Sequence, residues 1–288
     1  MEYCGVSVKD RSDKLVGTVY NSGKFGDYEI IYYGSVEDVL IRFHNTGYVT
    51  KSGMQRVRNG GVIDKTLPNV YGVGYSGECD MVDIRKNRSY VVWNSMLKRC
   101  YSDTRHFVSP KYAGKTVSSF FLEYSNFHEW YTDQKGHDLG WDLDKDLIVS
   151  GNIEYSPENC VLVPKEINNV IVKDLSGVSD YYGVHLAHGK FRVCVQYMRK
   201  NYHLSFHDNM DEASETYIFY KQKLIHEVAE KWKGVVSDRC YNALINYSVI
   251  ERIRGFGMKT YLDIPTDIPD FVDKSRAAPL RGILSGSY

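Results

Sequence analysis

The sequence lacks the long apolar run that a membrane-spanning helix needs, and residues 1–5 lack the charged and then apolar pattern of a signal peptide. It also lacks an excess of charge of either sign, because 36 Lys and Arg stand against 36 Asp and Glu. A neutral chain is not a simple polycationic coat for nucleic acid, so any nucleic-acid binding must come from local segregation of charge. These absences predict a cytoplasmic protein without a membrane partner.

Cysteine is scarce, and no two cysteines form a Cys-x-x-Cys pair. Without that spacing a zinc site is not expected. Two of the six cysteines, Cys100 and Cys160, lie among apolar residues and are predicted to pack as small buried side chains. The full set is Cys4, Cys79, Cys100, Cys160, Cys194 and Cys240.

Length and composition predict two or three small domains. The chain has 288 residues, of which 43% are hydrophobic and 25% are charged, as in ordinary globular proteins. Short glycine-punctuated segments predict strands at 17–20, 28–33, 39–43 and 47–50, which would form a small, strongly bent barrel or half-barrel. Its basic residues either contact phosphate or are simply solvated, and these residues are Arg42, Lys51, Arg56 and Arg58.

Helical spacing of apolar residues predicts helices over 89–101 and 120–131, where these residues build core. The loop 105–115 between them is basic and aromatic, and it could touch the DNA backbone.

The segment 141–169 carries acidic, amide and turn residues in an informative order. Gly151 and Asn152 signal a turn, the apolar run 160–163 predicts a strand, and Pro164 suits the first turn of a helix. Strand, loop, strand and helix would then follow one another. In that arrangement Asp144 and an asparagine on the helix could share one divalent cation, and oxygen ligands favour Mg²⁺ or Mn²⁺ over zinc. Four aspartates crowd the start of this region, namely Asp138, Asp142, Asp144 and Asp146.

A set of motifs covering about eighty residues resembles the phage-encoded HNH (His-Asn-His) endonucleases, including the homing type, which are built on a ββα-metal hairpin. The motifs are Trp93-Asn-Ser-Met96-Leu-Lys-Arg99-Cys100-Tyr101, Pro110-Lys-Tyr112, Phe127-His-Glu-Trp130, Leu143-Asp144-Lys145-Asp146, Tyr155-Ser-Pro157-Glu-Asn159-Cys160, Val163-Pro164 and Asn168-Asn169. The resemblance implies metal-dependent cleavage of DNA. For a phage-encoded chain the cytoplasm would be that of the host cell.

The resemblance also implies roles for single residues. In the family an Asp-His pair ends the first strand, with the Asp binding metal and the His activating water. Asp144 matches the metal ligand, while Lys145 stands where the His is expected. Asn159 matches the asparagine that shapes the loop, and Asn168 or Asn169 matches the helix residue that completes the metal site.

Loss of the motif histidine leaves the general base open. Lysine is a poor base unless its pKa falls steeply, so Lys145 is expected instead to neutralise charge developing on the phosphate. His137, seven residues before Asp144, is the reserve base, and its alternative is a solvent-facing loop histidine.

A second DNA-binding signal follows further along the chain. Alternating residues over 182–206 predict three short strands, with turns at 188–189 and 199–201, and 210–224 predicts an amphipathic helix capped by Asp208 or Asn209. This pattern resembles the plant Apetala2-type and integrase-type DNA-binding domain, whose sheet enters the major groove. The matching residues are Gly183-Val184, Lys190-Phe191-Arg192, His203-Leu204 and Ala213.

Charge agrees with that resemblance, because the segment between Tyr181 and His207 has four Lys or Arg, three histidines and no acid. Arginine and glutamine can make bidentate hydrogen bonds to base edges, so Arg192, Gln196 and Arg199 are the first choices for groove contacts. The alternative is a small sheet whose basic face is solvated. The full predicted DNA-binding set is Lys190, Arg192, Gln196, Arg199, Lys200 and His203.

Together these patterns predict an α+β, multidomain chain: an all-β module at 1–76, an HNH-like ββα-metal domain at 77–175, an Apetala2-like DNA-binding domain at 176–245 and a carboxy-terminal extension at 246–288. The predicted function is divalent-metal-dependent hydrolysis of phosphodiester bonds in double-stranded DNA. The alternatives are a catalytically degenerate factor that regulates or inhibits a host or rival protein, and a pure protein-interaction module.

Overall fold

A computed structural model describes residues 12, 14–78, 84–172 and 182–255 of the chain. These residues include both helices and strands, which confirms the predicted α+β class. The chain forms two compact units, Met1–Ala113 with Leu122–Phe127, and Gly114–Phe121 with His128–Tyr288. The predicted division into four segments stays a prediction. Cys4, Cys79 and positions 256–288 of the predicted extension lie outside the described residues.

The first unit begins with an antiparallel sheet whose strands follow chain order: β1 Val19–Asn21, β2 Asp27–Ser35, β3 Asp38–Phe43 and β4 Val49–Ser52. All four strands fall on predicted segments. Alternate residues of β2 and β3 are buried in one apolar core because successive strand residues face opposite sides. A short helix, α1 Met54–Arg58, follows where the sequence predicted only a turn. Its Val57 carbonyl accepts a hydrogen bond from the hydroxyl of buried Tyr28 at 2.7 Å.

Helices complete the first unit. After a 3₁₀ turn at Ile84–Lys86, α2 spans Arg88–Tyr101, α3 spans Asp103–Val108, and a second 3₁₀ turn covers Pro110–Tyr112. Asn87 caps α2 by accepting from the backbone N–H of Ser89 at 3.0 Å. The fully buried Trp93 packs against Tyr124 with ring centres 5.4 Å apart, so α2 builds core as predicted.

The single helix predicted over 120–131 is two helices, α4 Ser119–Leu122 and α5 Tyr124–Asp133. The break lies at Glu123, which bridges Tyr75, and the backbone N–H of Tyr124 donates to the Tyr75 carbonyl at 2.9 Å. A tertiary backbone contact therefore replaces one turn of the helical ladder.

The predicted order of strand, loop, strand and helix is present in the second unit. Strand β6 Asp142–Asp144 pairs antiparallel with β8 Val161–Val163, and α6 Lys165–Val170 follows Pro164. Between them, β7 Glu154–Tyr155 pairs in parallel with β5 Thr116–Val117. Every residue of β8 is buried, which anchors the hairpin. We call residues 142–170 the ββα hairpin.

The predicted three-stranded sheet also lies in the second unit, in the order β11-β10-β9. Its strands are β9 Val184–Ala187, β10 Lys190–Tyr197 and β11 Lys200–His207, and they are followed by α7 Met210–Lys231, α8 Asp238–Ile245 and α9 Val249–Gly255. Asn209 caps α7, as one of the two predicted caps. Gly183 has φ of 70°, and a Cβ there would stand 2.1 Å from the Tyr217 ring, so glycine permits the close approach of α7.

Within the described ranges, no helix combines the length and apolar character that crossing a membrane requires.

Candidate functional site

Asp144 organises the loop that follows the first hairpin strand. Its Oδ1 accepts from the backbone N–H of Asp146 at 2.9 Å and of Leu147 at 2.7 Å. Both hydrogen bonds that the described residues give to Asp144 fall on Oδ1, so Oδ2 faces no donor among them. The carboxylate therefore shapes the chain and still has one oxygen available for a ligand.

The surroundings of Asp144 disfavour its negative charge. Burial, and next the charge of Asp146, raise the pKa of the Asp144 carboxyl above its usual range, although its backbone hydrogen bonds and Lys145 oppose that shift. Its neighbours are apolar or neutral, since burial raises the pKa of the Cys160 and Cys240 thiols to about 12. A cation bound beside Asp144 would offset the repulsion, which is the electrostatic condition for a metal site.

Asn152 fastens the two sides of the hairpin loop together. Its Nδ2 donates to the carbonyls of Lys145 at 3.0 Å and Glu154 at 2.6 Å. Its Oδ1 accepts from the Glu154 backbone N–H at 3.0 Å and from Nδ2 of Asn159 at 3.2 Å. The amide thus uses both donors and both acceptor positions. Asn159, to which the resemblance gives the loop-shaping role, reaches the loop only through Asn152, which our sequence reasoning treated as a turn residue.

Lys145 is turned into the hairpin. The side chain is only 5% exposed, and Nζ donates to the Asp146 carboxylate and to the Asn152 carbonyl at 2.7 Å. It also lies 5.7 Å from the centre of the Tyr155 ring. A buried and paired ammonium group neither accepts a proton nor reaches a phosphate without losing these contacts. The geometry therefore gives Lys145 a structural place in the loop rather than the predicted catalytic one.

The two predicted helix ligands behave differently. Asn168 donates through Nδ2 to Oδ2 of Asp142 at 3.2 Å, so it contacts the first hairpin strand. Asp142 and Asp144 are two residues apart on β6 and project to the same side of that strand. Asn169 instead donates to the carbonyl of Lys165, one turn back on its own helix, at 2.7 Å. The geometry thus groups Asp142 with Asp144 and Asn168, and it leaves Asn169 out.

This donor set fits a hard cation. Carboxylate and amide oxygens are the ligands that Mg²⁺ and Mn²⁺ prefer, and these ions keep several waters in their coordination shell. No cluster of three or more His, Cys, Asp or Glu side chains suited to a metal occurs in the described part of the chain. Any site here must therefore combine two carboxylates with an amide.

His137 lies in the turn after α5, outside the hairpin. Its Nδ1 is 2.9 Å from the carbonyl of Gln134, and its ring meets that of Tyr131 edge-on at 6.4 Å. These local contacts hold the half-buried imidazole within its own turn. They do not place it beside Asp144.

Arg252 on α9 holds the same hairpin loop from outside. Its guanidinium donates to the carbonyls of Asp146 and Leu147, to the latter at 2.8 Å, and it stacks on Tyr247 at 4.9 Å. The side chain is 8% exposed. In turn, Gln222 on α7 donates to the Tyr247 carbonyl at 2.6 Å and accepts from the backbone N–H of Val249 at 3.0 Å. A chain of contacts therefore leads from α7 through α9 to the loop of Asp144.

Glu166 joins the hairpin helix to the sheet. Its carboxylate accepts from Lys231 at 2.7 Å, from the indole N–H of Trp232 at 2.9 Å and from the Tyr197 hydroxyl. Burial raises the pKa of Glu166, but these three donors outweigh it and bring the pKa below its usual range. The hairpin and the three-stranded sheet are therefore parts of one packed body. These long-range contacts of Glu166 and Arg252 carry no local sequence signal.

The sheet presents one apolar and one polar face. Val193 and Val195 are buried on the inner face, whereas Arg192 and Gln196 are exposed on the outer face. On the outer face Arg192 pairs with His185 of one neighbouring strand and Phe206 of the other. Two more outer pairs are Cys194 with His203 and Gln196 with Asn201. The predicted residues Arg192, Gln196 and His203 are thus brought together on one exposed surface, which we call the outer face.

The basic residues at the sheet ends differ in their surroundings. Tyr197 pairs with Lys200, so the turn is Met198-Arg199, one residue earlier than predicted, and both residues have positive φ. Arg199 and Lys200 are exposed there. At the opposite end Lys190 pairs with Asp208 at 3.0 Å. The segment 182–207 contains no acidic residue, so apart from this rim pair the outer face carries positive and neutral groups only.

Comparison of the chain with protein-family models, with curated proteins and with solved structures finds no match in any of the three.

Proposed function

We propose that this protein is a DNA endonuclease that binds duplex DNA through the outer face and cuts a phosphodiester at the ββα hairpin with Mg²⁺ or Mn²⁺. One observation carries the proposal. An exposed, acid-free sheet face with Arg192, Gln196 and His203 is tied through Glu166 to a hairpin that groups carboxylate and amide oxygens. A recognition surface and a candidate metal centre in one packed body suit a site-directed nuclease.

Each group has a distinct part in this function. Asp144 and Asn168 would hold the cation, with Asp142 beside them. When bound, the cation would spread the charge of the phosphodiester and make water a stronger nucleophile. Arg252 and Asn152 fix the loop, so the carboxylates need not reorganise during the reaction. Arg192 and Gln196 would hydrogen-bond to base edges, and Arg199 with Lys200 would contact phosphate.

A second candidate is a DNA-binding factor that does not cut, acting as a regulator or as an inhibitor of a host or rival protein. It is favoured by one observation, the burial of Lys145 at the position where the family carries its general base. Neutral net charge and a degenerate centre also suit a protein partner.

Cleavage assays separate these candidates. Plasmid and genomic DNA would be incubated with the protein in Mg²⁺, in Mn²⁺ and in chelator, and wild type would be compared with Asp144→Asn. This variant keeps an oxygen to accept the two backbone N–H groups but removes the charge. Asp138→Asn, an exposed aspartate in the preceding turn, is the matched control.

We expect metal-dependent breaks from wild type and Asp138→Asn, and none from Asp144→Asn. Intact DNA in every metal, together with DNA binding that Arg192→Ala abolishes, would establish the non-cutting factor instead. Wild-type protein that neither cuts nor binds DNA at low salt would refute both candidates.

A further inference from the structure

The α3 helix presents its apolar side chains to solvent. Phe107 is 90% exposed and Val108 is 66% exposed, and no residue of α3 is buried. Single exposed apolar residues are common, but two adjacent ones at the end of a helix form a small apolar tip. The aromatic ring keeps a hydration cost that insertion into an apolar environment would remove.

Positive charge surrounds this apolar tip. Positions 98–113 hold one acidic residue, Asp103, against Lys98, Arg99, Arg105 and Lys111. The guanidinium of Arg105 lies over the Tyr112 ring at 5.2 Å, which holds it in place beside the helix. His106, the residue before Phe107, lies 3.0 Å from the Arg99 carbonyl through Nε2. The side chains that flank the tip are therefore ordered.

We infer that Phe107 is an apolar wedge that inserts between base pairs of duplex DNA, with Arg105 contacting a phosphate beside it. This inference rests on the proposed DNA-binding function and adds a second contact surface, in the first unit of the chain. Charge selects the occupant, because four basic residues against one acid favour a polyanion over an apolar protein groove. Proteins that bend DNA insert phenylalanine or leucine between base steps in this way, and arginine beside the wedge neutralises phosphate.

The test is a DNA-binding and DNA-bending titration in chelator, where cleavage is off. A short duplex of mixed sequence carries a donor and an acceptor dye at its two ends, so binding is read by anisotropy and bending by energy transfer. The proteins are wild type, Phe107→Ala, Phe107→Trp, Arg105→Gln and Leu139→Ala. Leu139 is also 66% exposed but lies in the turn after α5, so it controls for loss of an exposed apolar side chain.

We expect Phe107→Ala to weaken binding by roughly tenfold or more at every salt concentration, since stacking of one aromatic ring on a base supplies that much affinity. Energy transfer should fall with it, and Phe107→Trp should restore both signals. Arg105→Gln should reduce the salt dependence by about one counterion. Leu139→Ala should match wild type.

Equal affinity and equal bending for wild type and Phe107→Ala would overturn the inference. If Arg192→Ala still abolished binding in that case, the proposed function would stand without the wedge. Self-association of wild type that Phe107→Ala removes, with DNA affinity unchanged, would also overturn it and identify the tip as a contact between copies of the chain.

Discussion

Arg199 and Met198 occupy a turn that neither side chain favours. Their φ values are 65° and 47°, in the left-handed region that costs an L-residue roughly 1–2 kcal/mol. A turn selected for stability alone would carry glycine or asparagine at these two positions. Strained positions of this kind cluster at functional sites, and Arg199 at the tip of the sheet suits contact with phosphate.

We therefore predict that Arg199→Gly raises the free energy of unfolding by about 1 kcal/mol and weakens DNA binding. Denaturant unfolding and a salt titration of binding would measure the two effects. Met198→Gly is the matched control, because it relieves similar strain without removing charge, so it should stabilise the protein and keep its affinity. Equal affinity for both variants would mean that Arg199 does not touch DNA.

The raised pKa of Asp144 makes the hairpin a source of instability at neutral pH. A carboxyl whose folded-state pKa lies above its unfolded value favours folding when protonated, so its stabilising contribution is present below the unfolded pKa and is lost as pH rises through the folded pKa. Function is the natural reason for keeping a charge in such a place.

Without divalent cations, Asp144→Asn should unfold at higher denaturant than wild type at pH 7, and the difference should vanish below about pH 4, where the wild-type carboxyl is protonated in both states. Added Mg²⁺ or Mn²⁺ should stabilise wild type but not the variant, since ligands that bind the native state raise its stability. Chemical denaturation at several pH values, with and without metal, measures both. A variant less stable than wild type at pH 7 in chelator would contradict the assignment.

At the scale of elements, α9 acts on the hairpin loop through one side chain. Arg252 donates to two successive carbonyls, and its loss would leave both buried acceptors unpaired. We predict that Arg252→Met costs about 2–4 kcal/mol and speeds hydrogen exchange of the amides at 146 and 147. Arg252→Lys should recover only part of this, because lysine lacks the planar fork. Unchanged exchange at those amides would show that α9 does not hold the loop.

Sequence pattern found most of the elements but few of the contacts between them. Alternation and glycine spacing located β1 to β4 and β9 to β11, since strand period and turn chemistry are local properties. Where a tertiary backbone contact intervened, as at Glu123 with Tyr75, the helix predicted over 120–131 was wrong in its continuity. Local periodicity carries no record of a partner fifty residues away.

The same limit applies to the candidate site. Asp144 and Asn168 came from residue type and order, and the outer-face residues came from strand alternation. Lys145 took a buried pairing because neighbouring Asp146 supplied the charge and Asn152 the acceptor, and motif position does not reveal which way a side chain turns. Arg252 is more than one hundred residues from the loop it holds, so no local pattern could have named it.

For the whole molecule, zero net charge makes DNA binding depend on a few segregated groups. On the outer face and its ends, Arg192, Arg199 and Lys200 are exposed, while Lys190 pairs with Asp208. Each phosphate neutralised by a basic side chain releases close to one counterion. Three free cations on the sheet therefore imply a log–log salt slope of roughly −3 from this surface alone.

Asp208→Asn should then tighten DNA binding and steepen the salt slope by about one, because it releases Lys190 for a phosphate. The Asp208 side chain is 82% exposed, so the change should leave the fold intact. Asp211→Asn is the matched control: it removes the same charge from the start of α7 but does not pair with Lys190, so it should raise affinity less and leave the slope near that of wild type. Fluorescence anisotropy across a range of salt concentrations gives both quantities. Identical slopes for the two variants would mean that Lys190 lies outside the DNA contact and that only the overall charge of the protein had changed.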